Sequence, residues 1–250
     1  MTQFRTQRRR AKAPSSVLME GVESRQMFST YIVTTTADDG AGSLRQAIKS
    51  ANSHSGADVI QFKIGTGVKT ITTKTSLPYI SDAVTIDGTT QPGYSGKPII
   101  ELNGATSGGY GLNVGGGSST IKGLVINRYS SGILLVNNGG NTIKNCYIGI
   151  GASGLTDQGN KDKGIIVQTA NNVIGGTTAA DRNVISGNGT LGIQLYTYTA
   201  ADNKIQGNYI GTDYTGTKAI ENGTSGIGVY GAHRQPHRRP GDRRTQRHQR

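Results

Sequence analysis

Tryptophan is absent, phenylalanine occurs three times, proline six times and cysteine once in 250 residues. A single cysteine, Cys146, excludes a disulfide within the chain. No stretch approaches the ~18 consecutive apolar residues of a membrane-spanning helix, so no such span is expected. Few aromatics together with 38 glycines argue against a helical bundle and for a chain rich in strands and turns.

Charge is abundant but badly distributed. Of the formal +12, residues 1–28 carry +4 and residues 231–250 carry +6, which leaves +2 for everything between. A nearly neutral body without interleaved basic and aromatic residues predicts no nucleic-acid partner. The first 28 residues begin basic yet lack the apolar stretch of a secretory or twin-arginine signal, and read as a disordered basic leader.

From Tyr31 the texture becomes β-branched. YIVTTT is followed by a turn-like DDGAG and then by GSLRQAIKSANS. In that segment Leu44, Ala47, Ile48 and Ala51 fall on one helical face behind Ser43, a natural N-cap, which predicts one short helix over 43–52. Short apolar runs bounded by Gly, Asn, Asp or Pro follow it: DVIQFKI, VKTITT, AVTIDG, PIIELNG, TIKGLVI and GILLV. Each is of strand length.

Internal repetition is the strongest signal. NTIKNCYIG at Asn141–Gly149 returns as NKIQGNYIG at Asn203–Gly211, a shift of 62 residues. Within that unit a shorter beat opens with glycine: GLNV at Gly111, GILL at Gly132, GIIV at Gly164, GIQL at Gly192 and GIGV at Gly226. A unit of that size suits one coil of a parallel β-solenoid, with two coils per super-repeat, because a single coil cannot bury its own apolar face. Asn145, Asn172, Asn183, Asn188 and Asn208 are expected at the corners, where asparagine tolerates tight bends. The helix would cover the N-terminal edge of the stack.

Several separated segments carry a family resemblance: VTTTADDGAGSLRQAIKSAN, LPYISDAVTIDGTTQPGYSG with IELNG, NVIGGTTAADRNVISGN, and NYIGTDYTGTKAIENG. Over roughly residues 31–232 the chain resembles the bacterial right-handed parallel β-helix repeat proteins whose N-terminal module is known by the string CSLREA. Gly42 stands at the Cys of that string and Gln46 at its Glu. The resemblance implies an all-β right-handed parallel β-helix with a capping helix, an extracellular or cell-surface setting, and roles connected with polysaccharide. It brings no reaction with it, since the shared motifs are scaffold motifs.

The expected organisation is therefore a leader over 1–28, a β-helix over 29–232, and a basic tail over 233–250. The tail interrupts the repeat. Back-translated and shifted by one nucleotide, Gln235–Arg250 approximates the text of Asn172–Gly187, which suggests a frameshift and a truncated parent protein. A genuine basic tail for anionic surfaces is the alternative.

Site chemistry is thin. His54, between Ser53 and Ser55, reads as a solvated loop histidine. Cys146 aligns with Asn208 in the next copy and reads as a corner or core residue. Polysaccharide-cleaving β-helix enzymes need clustered carboxylates, as an acid and base pair or around Ca²⁺, and lyases add a basic residue. Asp157, Asp162, Asp181, Arg182, Asp202, Asp213 and Glu221 lie in repeated-region loops, with Asp181, Arg182 and Asp213 singled out as catalytic candidates. Asp181 and Arg182 belong to recurring text, whereas Asp213 has glycine, Gly151, as its counterpart. The expected function is a secreted or surface scaffold that interacts with carbohydrate and needs no cofactor. A polysaccharide lyase or glycoside hydrolase is the alternative, with Ca²⁺ only in the lyase case. Self-association through an uncapped C-terminal coil is also expected.

Overall fold

The computed structural model describes residues 28–196 and 198–231. The leader expected over 1–28, apart from Phe28, and the tail expected over 233–250 lie outside the described residues. The described chain is mostly β, organised as three parallel sheets with one α-helix.

The first sheet contains Thr30–Val33, Asp58–Phe62, Val84–Asp87, Thr120–Lys122, Thr142–Lys144, Val173–Gly175 and Lys204–Gln206. The second contains Lys69–Thr72, Ile100–Asn103, Leu124–Asn127, Tyr147–Ile148, Val184–Ile185 and Tyr209–Ile210. Tyr110–Val114, Ser131–Leu135, Ile165–Val167, Leu191–Tyr196 and Ser225–Tyr230 make the third. In each sheet the spatial order is the sequence order. From Val84 onward the chain visits first, second and third sheet in turn, and each strand pairs in parallel with its equivalent one circuit later. Thr142 pairs with Val173, which pairs with Lys204, so the 62-residue super-repeat spans two circuits.

Parallel in-register stacking places like on like. Ile60, Ile86, Ile121, Ile143 and Ile174 form one buried column on the first sheet. Leu102, Ile126, Ile148 and Ile185 form the second column, and Leu112, Ile133, Ile165 and Ile193 the third. Together they are the core, each side chain contributing roughly 1.5–3 kcal/mol by leaving water. On the last described circuit the columns surface: Ile227 is 43% exposed and Val229 61%.

The glycine beat has a steric cause. Gly111, Gly132, Gly164, Gly192 and Gly226 stack at equivalent positions of the third sheet. A Cβ on Gly164 would stand 2.5 Å from the carbonyl oxygen of Gly192, and one on Gly132 equally close to that of Gly164. Glycine is required wherever one circuit's backbone passes this near the next.

One expected element differs in detail. TIKGLVI reads as one run but forms two strands, bent at Gly123 (φ +70°), where the chain turns from the first sheet to the second. Asn145 occupies the matching bend of the next circuit (φ +50°). It is therefore the left-handed residue outside the corner, while the adjacent Cys146 points into it.

The helix runs Leu44–Ser53, with the Ser43 hydroxyl accepting from Gln46 N at 3.1 Å. Leu44, Ala47, Ile48 and Ala51 are buried, as their spacing predicts, and pack on the first two strands of the first sheet. Arg45 is buried too. Its guanidinium is satisfied by the Asp38 carboxylate at 2.7 Å and by the carbonyls of Ser76 and Thr75 at 2.7 and 2.9 Å, so its burial leaves no unpaired charge.

Candidate functional site

Corners decide what the surface can offer. At each of the three, side-chain amides run along the stack as a hydrogen-bonded ladder. Asn141 Nδ2 donates to Asn172 Oδ1 (2.9 Å) and Asn172 Nδ2 to Asn203 Oδ1 (2.8 Å). Asn160 donates to Asn188 and Asn188 to Asn222, both at 2.9 Å. Asn183 donates to Asn208, also at 2.9 Å. The carboxamide oxygens also take the backbone N–H groups of the preceding circuit, as from Asn141, Tyr129 and Cys146. Buried polar groups at a sharp bend are thereby paired. Cys146, fully buried, heads one ladder in the place of an asparagine, and its Sγ faces the Ile121 carbonyl at 3.8 Å. Burial pushes its thiol up to about 12, which keeps it protonated and unreactive.

Outside the corner between the third and first sheets lies a groove of about 780 Å³ crossing three successive circuits. Asn137 and Asn138 line it from one circuit, Gln168, Thr169 and Asn171 from the next, and Thr199 from the third. Every lining side chain is uncharged. Left-handed backbone turns the chain at Asn137 (φ +62°), and at Gly140 (φ +75°) and Asn171 (φ +61°), which match, each just before a ladder asparagine. The walls are fixed: Asn137 Nδ2 donates to the Tyr79 hydroxyl (2.7 Å), Asn138 Nδ2 to the Gly115 carbonyl (3.0 Å), and Thr199 Oγ1 to the Gln168 carbonyl (2.7 Å). The floor is held by the asparagine ladder, since Asn172 and Asn203 both donate to the Thr169 carbonyl. This arrangement can present amide donors and acceptors to a neutral, hydroxyl-rich ligand.

A smaller groove of about 160 Å³ lies on the outer face of the second sheet, lined by Lys97, Asn145, Tyr147, Arg182 and Tyr214 among others. Tyr147 and Tyr209 face outward because their neighbours Ile148 and Ile210 fill the core. Lys97 Nζ sits 3.6 Å over the Tyr214 ring, and the Arg182 guanidinium 4.1 Å over Tyr209. Desolvation raises the Tyr147 phenol to about 12.

Of the sequence-derived candidates Asp181, Arg182 and Asp213, Arg182 lines this second groove, whereas the carboxylates of Asp181 and Asp213 do not. Arg182 Nε donates to the Gly207 carbonyl at 3.0 Å. The Asp181 carboxylate is held by the Thr178 hydroxyl (2.7 Å) and Lys144 Nζ (3.0 Å), and these contacts lower its pKa. Asp213 precedes Tyr214, but its Oδ1 accepts from the Thr215 hydroxyl and the Thr215 and Thr217 amides. Those bonds, led by the Thr215 hydroxyl, lower its pKa as well. The same turn occurs at Gly151, whose N–H bonds the Thr156 carbonyl as Asp213 N bonds that of Lys218. Asp162 is tied to Lys163 and Thr190, and Asp157 caps the amide of Gly159. Among the described residues no three His, Cys, Asp or Glu side chains converge as metal ligands, and no helix is long and apolar enough to cross a membrane.

The groove residues Asn137, Gln168 and Asn171 were not separable in the sequence from the ladder asparagines. His54, read as a solvated loop residue, is instead hydrogen bonded through both ring nitrogens. No family model and no curated protein matches the chain.

Proposed function

We propose that the protein is a right-handed parallel β-helix that serves, outside the cell or on its surface, as a scaffold engaging carbohydrate. The observation that carries this reading is the uncharged groove that crosses three circuits and is lined by side-chain amides from two of them and a hydroxyl from the third. A polymer of neutral sugars offers hydroxyls at regular intervals, and a stack whose circuits are about 4.8 Å apart offers uncharged polar side chains on successive circuits. The order of strands, the capping helix and the resemblance to CSLREA-bearing repeat proteins support the same reading. The exposed rim at Ile227 and Val229 supports self-association as a further part of it.

Affinity electrophoresis through gels cast with neutral and with acidic polysaccharides tests the reading. Retardation is expected with one or more neutral polymers, and Gln168→Ala and Asn171→Ala should each weaken it by about 3–10-fold, the worth of one hydrogen bond. Failure of every neutral polymer to retard the protein, or retardation untouched by both substitutions, would sink it. Assaying the same polymers for new reducing or unsaturated ends separates binding from lyase or hydrolase action. Sedimentation of Val229→Lys beside the unaltered protein reports whether the exposed rim drives association.

A further inference from the structure

The N-terminal edge of the first sheet brings together three residues that the sequence keeps apart. Asp58 opens the strand Asp58–Phe62, and its side chain is fully buried. His54 caps the C-terminus of the helix just before it. Ser29 immediately precedes the neighbouring strand, and parallel pairing of Thr30 with Val59 sets Ser29 beside Asp58. His54 Nδ1 lies 2.9 Å from Asp58 Oδ1, and His54 Nε2 lies 3.3 Å from Ser29 Oγ.

This order of contacts has chemical content. With its Nδ1–H donated to the carboxylate, the imidazole presents the Nε2 lone pair to the serine hydroxyl. Asp58 fixes the tautomer and the ring orientation, and it stabilises the imidazolium that forms once a proton is taken. The serine is itself fixed: its N–H donates to Asp58 Oδ1 at 2.9 Å, and its carbonyl accepts from Val59 N at 2.9 Å. The other oxygen, Asp58 Oδ2, is buried without a hydrogen-bond partner, a cost that a purely structural tie would not need. The His54 side chain is 35% exposed and Ser29 is half-buried, so neither residue is sealed from solvent.

We propose that Ser29, His54 and Asp58 form a nucleophile, base and positioning carboxylate that hydrolyse small acyl esters. Ser29 Oγ forms a bond to the acyl carbon as its proton passes to His54 Nε2. The ester C–O bond breaks, and the departing alkoxide takes that proton. Water then attacks the acyl-serine, giving its proton to Nε2, and the serine oxygen recovers it as the carboxylic acid leaves. Ester and water become acid and alcohol, with no other reactant. The inference is independent of the carbohydrate reading.

The test uses the full chain with p-nitrophenyl acetate as substrate and a fluorophosphonate as covalent probe. The probe should label one serine, located by peptide mass spectrometry at Ser29, and Ser29→Ala should lose the label. Ser29→Ala and His54→Gln should each slow hydrolysis by about 100-fold or more, the scale of a lost nucleophile or general base. Asp58→Asn should lower kcat with little change in KM, and Asp58→Glu should restore part of it. Ser29→Cys gives a second route, because a thiol placed beside His54 should be activated and react quickly with iodoacetamide while the buried Cys146 does not. Absence of label on the unaltered protein, label elsewhere, hydrolysis unchanged in Ser29→Ala, or an inert thiol in Ser29→Cys would each overturn the proposal.

Discussion

The early circuits and the later ones solve the same corner problem differently. Up to about residue 114, bends are satisfied by individual devices. Thr90 Oγ1 accepts from Phe62 N at 2.8 Å, while Gln91 accepts from Ile64 N at 3.0 Å and donates to the Gly65 carbonyl at 2.9 Å. Arg45 serves a different loop alone. After residue 115 the same need is met by asparagine ladders in which each amide serves two circuits. The junctions are single residues: Ser119 takes the amide of Val84, Tyr129 donates its backbone N–H to Asn160, and Cys146 does so to Asn183. Individual devices accommodate a helix and long loops. Ladders permit repetition, at the cost of making each corner depend on its neighbours.

That difference can be broken by mutation. The largest effect is expected for Asn172→Leu, which removes bonds to Asn141, Asn203 and Thr169 at once. With buried donors and acceptors left unpaired on both sides, the loss should exceed about 3 kcal/mol in urea denaturation. Gly164→Ala comes next, at about 2–3 kcal/mol by overpacking against the Gly192 carbonyl. Gln91→Ala, in the early region, should cost about 1–2 kcal/mol. Hydrogen exchange should show that its effect is local: the Ile64 amide should lose protection while the amides of the Asn160 and Asn183 ladders keep theirs.

The smallest effect at pH 7 concerns Cys146. Its thiol ionises near 9.0 in an unfolded chain but only at about 12 in the fold. The stability it contributes is present below pH 9 and declines by about 1.4 kcal/mol per unit as pH rises from 9 towards 12. Cys146→Asn should extend its ladder by one rung, changing stability at pH 7 by no more than about 1 kcal/mol and removing that alkaline decline. Denaturant midpoints at pH 7 and pH 10 check both statements. A larger loss at pH 7 would mean that the rung does not accept an amide.

Much of the fold was legible because parallel stacking repeats residue types in space as they repeat in sequence. The Gly-x-x-x beat survives as a glycine column, and the 62-residue shift as two circuits. What stayed hidden depends on a difference of one position. Asn145 and Cys146 are neighbours in the text, yet one bends left-handed outside the stack and the other carries the ladder within. Tyr147 and Tyr209 sit beside the core residues Ile148 and Ile210 in the text, and the period of two along a strand turns them outward. Ser29, His54 and Asp58 were illegible for another reason. Their approach depends on a helix intervening between two strands that then pair, and no local pattern encodes that distance. The carboxylates drew attention through residue type and place in the repeat, and the partners Thr178 and Lys144 account for Asp181 as Thr215 and Thr217 do for Asp213.

The asparagine ladders also have a direction. In all three, one side-chain N–H reaches the circuit that follows and the oxygen faces the circuit before, while the other N–H bonds a backbone carbonyl of its own or an earlier circuit. Aligned amides add, as peptide dipoles add in a helix, so the stack is a polar rod with oxygens facing one end and N–H groups the other. Two copies meeting through their Asn203, Asn208 and Asn222 ends would set donor against donor. Only a head-to-tail approach, or a circuit arriving with its carboxamide oxygens first, continues the pattern.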